Sequence, residues 1–457
     1  MEDQHQKPHV IIGVVPAFGH AEKLIVIGAD LVKRGYPVSF LTGSVFQKEV
    51  ESIGARFVPL KGRADFDIER CHEQYPFYKS MPLGMERTIW DLDTWFISPI
   101  KDQYECLQKL LKEIKETEGD DRTVIYIDDT SFAAAAPILL GAPGCHRPNG
   151  FIKIGISPLI QESVDTAPFG MGLPPDSSEA GRVRNRALQE QANLASAPIQ
   201  KLWTDALRST GVPVDERKSR RQFFDELPRC CDLFLQMSIP ELEYPRSDLP
   251  EGLRFIGALP SVGSKVGKDA TFPEWWDEVI HAPEDKKRPI VVITQGSAHN
   301  DPSELILPAI EGLKDLDITA VVTLVKSSTI EDYPDIDIPA NVKLAQFIPF
   351  DILFQHAAIL VSNGGFGTVQ QALSHGVPMV LAGMAADKPE TNARAAWAGA
   401  AINLACQRPE PGQIRDAVSQ ILADPVRRER CLQLKREYAK YDALSFVAAA
   451  VDELAGI

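Results

Sequence analysis

The sequence contains few cysteines, no long hydrophobic run and no excess of positive charge. Its seven cysteines are scattered among 457 residues, with no Cys-x-x-Cys pair and no Cys/His cluster at zinc spacing. No stretch approaches the roughly 20 apolar residues that span a bilayer. The 48 basic and 63 acidic side chains give a net charge of −15, which opposes binding to nucleic acid or anionic lipid. We therefore expect reduced thiols, no metal site, no nucleic-acid partner and no membrane span.

The start of the chain and its composition are typical of a globular enzyme. MEDQHQKPH is polar and leads directly into the strand-like VIIGVV, without the basic and long apolar segments of a secretory signal. Hydrophobic residues make up 44% of the chain and charged residues 24%, which is sufficient for packed cores. We expect a cytoplasmic protein, and the length predicts two or three domains.

Short β-branched runs recur along the chain and alternate with segments of helical spacing. Such continuous apolar runs are typical of parallel strands that are buried on both faces. The runs lie at residues 10–15, 38–42, 124–127, 152–156, 233–237, 290–294, 320–325, 359–362 and 379–382. This βαβ alternation predicts an α/β protein with two Rossmann-like domains.

The alternation is interrupted between residues 260 and 288 by a stretch without apolar periodicity, which we interpret as the interdomain linker. The first domain would comprise residues 1–259 and the second residues 289–441. Residues 442–457 form a further amphipathic segment that remains after the second sheet is complete.

The first strand leads into a turn that contains Gly19 and His20, just before a helix. Ligands of parallel sheets bind at this edge, where an imidazole can act as a general base, although a His here can also cap the helix. The strand VIYI brings Asp128 and Asp129 to the same edge, and a carboxylate could orient the imidazole. One of the two could instead cap the helix predicted to start at Thr130. The residues alone leave the choice between Asp128 and Asp129 open.

In the second half, the strand AILVS leads into the glycine-rich segment NGGFGT at 363–368 and then into the helical pattern VQQALSHG. Glycines at a helix start let backbone N–H groups approach a pyrophosphate, whose charge the helix dipole favours. As a dinucleotide-binding fingerprint the segment fails, because Gln370 stands where the last glycine is required. The glycines could alternatively serve only close packing of strand and helix.

Residues 347–388 resemble the nucleotide-sugar signature of the family-one UDP-glycosyltransferases, whose two Rossmann-like domains face each other across a cleft in the GT-B arrangement. Three other segments resemble this family in the same order, namely VVPAFGHAEKLIVIGADLVKRGYPVSFLTG, IDDTSF and TQGS. The resemblance brackets most of the chain, although residues 65–120 and 145–290 match little. NGG in place of HGG, together with DK in place of DQ, is similar to fungal members, and the chain resembles fungal and bacterial small-molecule glucosyltransferases.

The resemblance implies an inverting transfer from a UDP-sugar, with UDP-glucose as co-substrate and no metal or other cofactor. It makes His20 the base that deprotonates an acceptor hydroxyl and Asp128 the carboxylate that orients it, because the spacing in D-x-T-S-F favours Asp128 over Asp129. It also implies that helix 442–457 returns to the first domain.

The resemblance likewise assigns the donor site. Ser297 and the glycine-rich loop would bind the diphosphate, Phe347 would stack on the uracil where the family usually has Trp, and Asp387 would contact the sugar hydroxyls. The donor-binding residues implied are Ser297, Phe347, Asn363, Gly364, Gly365, Gly367, Thr368, Gln371, Asp387 and Lys388.

Several of these positions depart from the family, and the departures concern the donor. The family usually has His, Asn, Glu and Gln where this chain has, in order, Asn363, Gly367, Gln371 and Lys388. Asn363 keeps a donor for a phosphate oxygen, although one weaker than a charged imidazole, and Gln371 can still hydrogen-bond ribose hydroxyls. Phosphate binding is therefore expected to survive, whereas the base and the sugar are less strongly specified.

The acceptor would bind to the irregular parts of the first domain, where aromatic residues and Met concentrate. Such side chains suit planar apolar molecules, although each could also belong to an ordinary core. The candidate acceptor-binding residues are Phe77, Tyr78, Met85, Trp90 and Phe169. We expect a hydrophobic natural product, such as a phenol or polyketide, rather than a protein or polysaccharide. Two alternatives are a nucleotide-sugar epimerase, which would turn over UDP-sugar without an acceptor, and an inactive sugar-nucleotide-binding protein.

Overall fold

The computed structural model describes residues 6–82, 84–214, 223–260, 272–295, 301–324, 338–346 and 348–457. These residues form two entirely parallel β-sheets. The seven-stranded sheet contains β1 His9–Gly13, β2 Val38–Thr42, β3 Arg56–Pro59, β4 Val124–Asp129, β5 Gly150–Gly155, β6 Leu233–Gln236 and β7 Leu253–Phe255. The six-stranded sheet contains β8 Ile290–Thr294, β9 Thr319–Thr323, β10 Val342–Ala345, β11 Ala357–Ser362, β12 Met379–Leu381 and β13 Ala401–Asn403.

Helices cover both sheets. Those associated with the first sheet in sequence are α1 Phe18–Lys33, α2 Gln47–Ser52, α3 Cys71–Gln74, α4 Met85–Asp91, α5 Ile100–Glu118, α6 Ala136–Leu139, α7 Glu179–Ala195, α8 Ala197–Ser209 and α9 Phe223–Cys230. The remaining ones are α10 Trp276–Ile280, α11 Ile306–Leu313, α12 Phe350–Leu353, α13 Phe366–His375, α14 Lys388–Trp397, α15 Pro411–Leu422, α16 Pro425–Tyr438 and α17 Ala443–Ala455. A π-helical turn, Leu92–Ile97, follows α4. No helix of the described ranges combines the length and apolarity needed to cross a membrane.

The strand order of each sheet reverses direction at one point. The first sheet runs β3-β2-β1-β4-β5-β6-β7 and the second β10-β9-β8-β11-β12-β13. The reversal therefore lies between β1 and β4 in one sheet and between β8 and β11 in the other. Open parallel sheets bind ligands at this switch point, beyond the carboxyl ends of the strands. The loops after β1, β4 and β11 carry the candidate site residues.

The two domains are connected by more than the linker. Val447 and Val451 of α17 belong to the core of the first sheet, although α17 follows the second sheet in sequence. Tyr36 also donates a hydrogen bond to Asp452 Oδ1 at 2.5 Å. The linker itself is only partly described, because residues 261–271 lie outside the described ranges. Its later part forms α10, whose Trp276 packs in a core of the second domain.

The sequence predicted the central strands but not the edges. β3, β7, β10 and β13 are absent from the predicted runs, and each is the terminal strand of its sheet. Their side chains are only partly buried, so they form no continuous apolar run.

Candidate active site

The start of α1 and the end of β4 bring His20 and Asp129 together, and His20 lies in the first turn of α1 rather than in a turn before the helix. His20 Nδ1 lies 2.9 Å from Asp129 Oδ2. Asp129 Oδ1 accepts hydrogen bonds from the backbone N–H groups of Ser131 and Phe132, at 2.7 and 2.8 Å. A carboxylate bonded in this way is an acceptor, so Nδ1 carries the proton and Nε2 has the lone pair. The imidazole is thus oriented as a general base.

The prediction that Asp128 orients His20 is wrong. Asp128 Oδ1 instead accepts a hydrogen bond from Lys153 Nζ at 2.5 Å, and both side chains are almost fully buried. Successive side chains of a strand point to opposite faces, and only Asp129, the last residue of β4, faces the loop after β1. Burial raises the pKa of Asp128 to about 7, against the opposing effect of the Lys153 ammonium.

Lys153 also supports the turn that holds Asp129. Its ammonium donates to the carbonyl oxygens of Asp129 and Phe132, at 2.9 and 3.2 Å. Sequence reasoning missed this residue. The available signal was a single charged side chain within the otherwise apolar run FIKIGI, which indicates a buried lysine with dedicated partners.

His20 also faces the second domain. Burial lowers the pKa of His20, but the charge and hydrogen bond of Asp129 and the charge of Asp387 raise it, and the net result is a pKa above the usual value. Asp387 belongs to the second domain, at the N-cap of α14. Burial raises the pKa of Asp387, which Lys388 and His20 oppose. The candidate base and the candidate sugar-binding carboxylate are therefore near enough for each charge to influence the pKa of the other.

The glycine-rich loop between β11 and α13 has a conformation that requires glycine. Gly364 has a φ of +87°, and a Cβ there would lie 1.7 Å from Asn392 Oδ1. Asn363 is buried, and its carbonyl oxygen approaches Gly383 so closely that a Cβ there would be 2.3 Å away. Gly365 is the N-cap of α13 and provides no side-chain cap, so the first N–H groups of that helix are left for a ligand or solvent.

The other donor residues surround this helix start. Thr368 and Gly367 are in the first turn of α13, and both are partly exposed. Gln371, one turn later, is buried, and its Oε1 has no hydrogen-bond partner in the described part of the chain. Lys388 is buried at the start of α14, and burial lowers its pKa against the opposing charges of Asp387 and Glu304. Ser297 and Phe347 lie outside the described residues.

The predicted acceptor residues form a cluster only in part. Trp90 contacts Phe77 and Tyr78, with ring centroids 5.7 and 5.0 Å apart. Trp90 also contacts Trp95, which lies in the π-helical turn. Phe169 has no such ring contact within the described ranges, and Met85 is half exposed at the start of α4. The predicted residues therefore fall into an aromatic cluster and a separate loop.

Phe96 connects the aromatic cluster to the candidate base. It follows Trp95 directly, and its ring centroid lies 6.0 Å from that of His20. Phe96 is not among the candidates from the sequence, because the π-helical turn that brings it to the imidazole has no sequence signal.

The loop that carries Phe169 is bound to the second domain. Glu390 Oε1 accepts hydrogen bonds from the N–H groups of Gly170 and Gly172, at 2.9 and 2.8 Å. Glu390 Oε2 pairs with Arg394 at 2.5 Å, and Arg394 pairs with Glu243 of the first domain at 2.5 Å. Because Glu390 and Arg394 lie on α14, directly after Asp387, these contacts connect the acceptor-side loop to the donor-side helix.

Comparisons with known proteins extend over the whole chain. The chain is 50% identical over 450 residues to the UDP-glucosyltransferase avaP of Aspergillus versicolor, which covers 98% of this chain and 97% of that protein. It is 46% identical over 451 residues to UDP-glycosyltransferase 2 of Phaeomoniella chlamydospora, with coverages of 98% and 96%. The model of the erythromycin biosynthesis protein CIII-like C-terminal domain matches residues 309–454.

A solved structure has the same architecture. The glycotransferase of kitacinnamycin aligns with a TM-score of 0.67 at 20% identity, covering 98% of this chain and 99% of that one. At this identity the likeness concerns the fold. Both the sequence relatives and the structural neighbour extend across the two sheets and the cleft between them.

Proposed function

Because the chain belongs to the family-one UDP-glycosyltransferases and is a UDP-sugar glycosyltransferase, we propose that it transfers glucose from UDP-glucose, with inversion, to a hydroxyl of a hydrophobic small molecule. The GT-B fold expected from the sequence is confirmed by the two parallel-sheet domains and the solved neighbour. The observation that carries the finer proposal is the hydrogen bond between His20 and Asp129 at the switch point of the first sheet.

His20 is the general base of this proposal. Nε2 accepts the proton of the acceptor hydroxyl as its oxygen attacks the anomeric carbon, and the resulting imidazolium donates through Nδ1 to Asp129. The new bond forms on the face opposite the departing diphosphate. An α-linked UDP-glucose would therefore give a β-glucoside and UDP.

The glycine-rich loop supports the departure of UDP. The bond between the anomeric carbon and the phosphate oxygen breaks, and its electron pair remains on UDP. The N–H groups at the start of α13 and the Thr368 side chain would stabilise that charge. Asn363 and Ser297 are expected to contribute further donors.

This arrangement assigns the leaving-group charge to backbone and side-chain donors rather than to a metal ion. No cluster of three metal-ligating His, Cys, Asp or Glu side chains occurs among the residues that the structure describes. Because these donors can take up the leaving-group charge, we propose that transfer requires no metal or organic cofactor.

The acceptor proposal depends on the first domain. The aromatic cluster around Trp90 leads through Phe96 to His20, so an apolar ring bound there would place a hydroxyl near the base. The relative avaP is named a UDP-glucosyltransferase, which supports glucose as the transferred sugar. Phe77, which is half exposed at the cluster edge, suits an aromatic or polyketide-like acceptor.

The test is His20→Ala. Transfer to a hydroxyl acceptor is expected to fall by about 10²- to 10⁴-fold or more, because no other group replaces the base. UDP binding, measured by calorimetry, should stay within about threefold of the unaltered protein. The matched control is His281→Ala, because His281 is exposed at the end of α10.

Combined loss of transfer and UDP binding would contradict the assignment, since His20 would then be structural. Consumption of UDP-glucose without any acceptor would favour the epimerase alternative. Retention of configuration in the product, read from the anomeric coupling constant, would contradict the direct displacement.

A further inference from the structure

We propose that Lys23 of the first domain binds the diphosphate of the donor at the start of α13, an inference that rests on the proposed function above. Neither the glycine-rich loop nor the candidate base includes this residue. It would be a catalytic residue that acts on the leaving group from the opposite side of the cleft.

The position of Lys23 follows from α1. It lies three residues after His20, so the two side chains share one face of the helix. Lys23 is only 8% exposed. A Cβ on Gly367 would lie 3.3 Å from Lys23 Nζ and 3.2 Å from Cε, so the ammonium lies against the first turn of α13.

This location is electrostatically unfavourable without an anion. The start of a helix carries a partial positive charge from its N–H groups, and a buried ammonium there is repelled by it. Glu22 supplies one anion, in an ion pair whose carboxylate oxygen lies 3.5 Å from Nζ, which is longer than a charge-assisted hydrogen bond. A diphosphate between Lys23 and α13 would satisfy both the ammonium and the helix dipole.

Gly367 is the residue that gives Lys23 access to this position. A Cβ there would contact Cε and Nζ so tightly that Lys23 would have to move away from α13. Phe366, the preceding residue, packs into the core of the first domain, which holds the start of α13 against α1. The close approach of Lys23 is therefore part of the interface between the domains.

Lys23 would then stabilise the charge that UDP gains as the glycosidic bond breaks. The step needs no proton transfer from Lys23, since the ammonium remains protonated throughout. His20 would receive the proton of the nucleophile while Lys23 stabilises the leaving group. One face of α1 would thus serve both ends of the displacement.

The experiment compares Lys23→Met with Lys33→Met, an exposed lysine in the last turn of the same helix. UDP binding is measured by calorimetry and uridine binding by displacement of UDP. In Lys23→Met we expect UDP to bind at least about tenfold more weakly, because a charge-assisted contact is lost. Uridine, which lacks phosphates, should change less than about twofold. In Lys33→Met both ligands should bind as before.

Thermal unfolding distinguishes a ligand-binding role of Lys23 from a structural role. If Lys23 awaits an anion, Lys23→Met is expected to keep or raise the melting temperature of the free protein while reducing the stabilisation by UDP. The turnover number with saturating acceptor should fall as well, because leaving-group stabilisation acts in the transition state.

Unchanged UDP binding and turnover in Lys23→Met would overturn the inference. Equal weakening of UDP and uridine, with a lowered melting temperature, would also overturn it, since Lys23 would then be structural. Failure of the unaltered protein to bind UDP would instead overturn the proposed function, and this inference with it.

Discussion

The two sheet edges that meet at the cleft differ in the chemical groups that they offer to a substrate. The edge of the first domain consists of buried ionisable side chains, with His20 bound to Asp129 and Asp128 bound to Lys153. In the second domain the glycine-rich loop presents mainly backbone, held in place by the positive φ of Gly364 and by the helix start that follows. Proton transfer needs a side chain of suitable pKa, whereas a diphosphate is bound well by N–H groups.

The difference predicts how each edge responds to substitution. At the first edge, replacing a carboxylate by an amide alters the protonation of His20 and therefore the turnover number. At the second edge an added methyl group alters the backbone and therefore affinity for UDP. The contact between Glu390 and the acceptor-side loop connects the two domains. Its loss should change the KM for the acceptor, and this effect should be smaller than the effects of substitutions at either edge.

The largest effect is expected from Asp129→Asn. The Asn carbonyl can keep the bonds from Ser131 and Phe132, but its NH₂ group would then face His20 Nδ1 and favour the wrong tautomer. The turnover number should fall by about 10²-fold or more, with UDP binding unchanged. Loss of the carboxylate, which raises the pKa of His20, should also shift the acidic limb of kcat/KM to lower pH.

Asp128→Asn is the matched comparison, because it makes the same change one residue earlier. It leaves the buried Lys153 ammonium without its charged partner, so the melting temperature should fall by several degrees. The acidic limb should stay in place. A shift of that limb in Asp128→Asn, and none in Asp129→Asn, would reverse the assignment of the orienting carboxylate.

An intermediate effect is expected from Gly364→Ala. The methyl group would collide with Asn392, and the positive φ would be strained by about 1–2 kcal/mol. UDP should bind roughly tenfold more weakly, as measured by calorimetry, and the melting temperature should fall. In Gly365→Ala, where a Cβ would meet nothing closer than Thr368 Oγ1 at 3.9 Å, the melting temperature should not change. Equal thermal destabilisation of both variants would argue against a backbone requirement specific to Gly364.

The smallest effect is expected from Glu390→Gln. The amide keeps one acceptor for Gly170 and Gly172 but presents an NH₂ group to Arg394, so the acceptor-side loop should loosen. The KM for the acceptor should rise about two- to fivefold with little change in UDP affinity. Glu429→Gln, in an exposed ion pair on α16, is the control. An unchanged acceptor KM would mean that these bonds do not position the loop.

The sequence predicted those strands whose residues are buried without interruption. The central strands, such as β1 and β4, are buried on both faces and formed readable apolar runs. The edge strands were missed, because each has exposed or partly exposed side chains. The π-helical turn that brings Phe96 to His20 has no periodic signature and could not be predicted either.

For the site, sequence reasoning identified the participating residues better than their pairings. His20 and both aspartates were singled out, but the choice of Asp128 failed because the alternation of the last residues of β4 depends on exact register. The partners from distant segments, Lys153 and Glu390, were missed. Their contacts join residues separated by 24 positions or by more than 200 in the chain, and no local pattern encodes them.

The return of α17 to the first sheet has a consequence for biosynthesis. Its Val447 and Val451 fill part of a core most of whose other members lie in the first domain. A ribosome must therefore finish translating the second domain before the first can close its apolar interior. Until α17 has been synthesised, the apolar surface that it covers on the first domain stays exposed and can bind a chaperone. Deletion of α17 would leave this surface exposed in the finished protein.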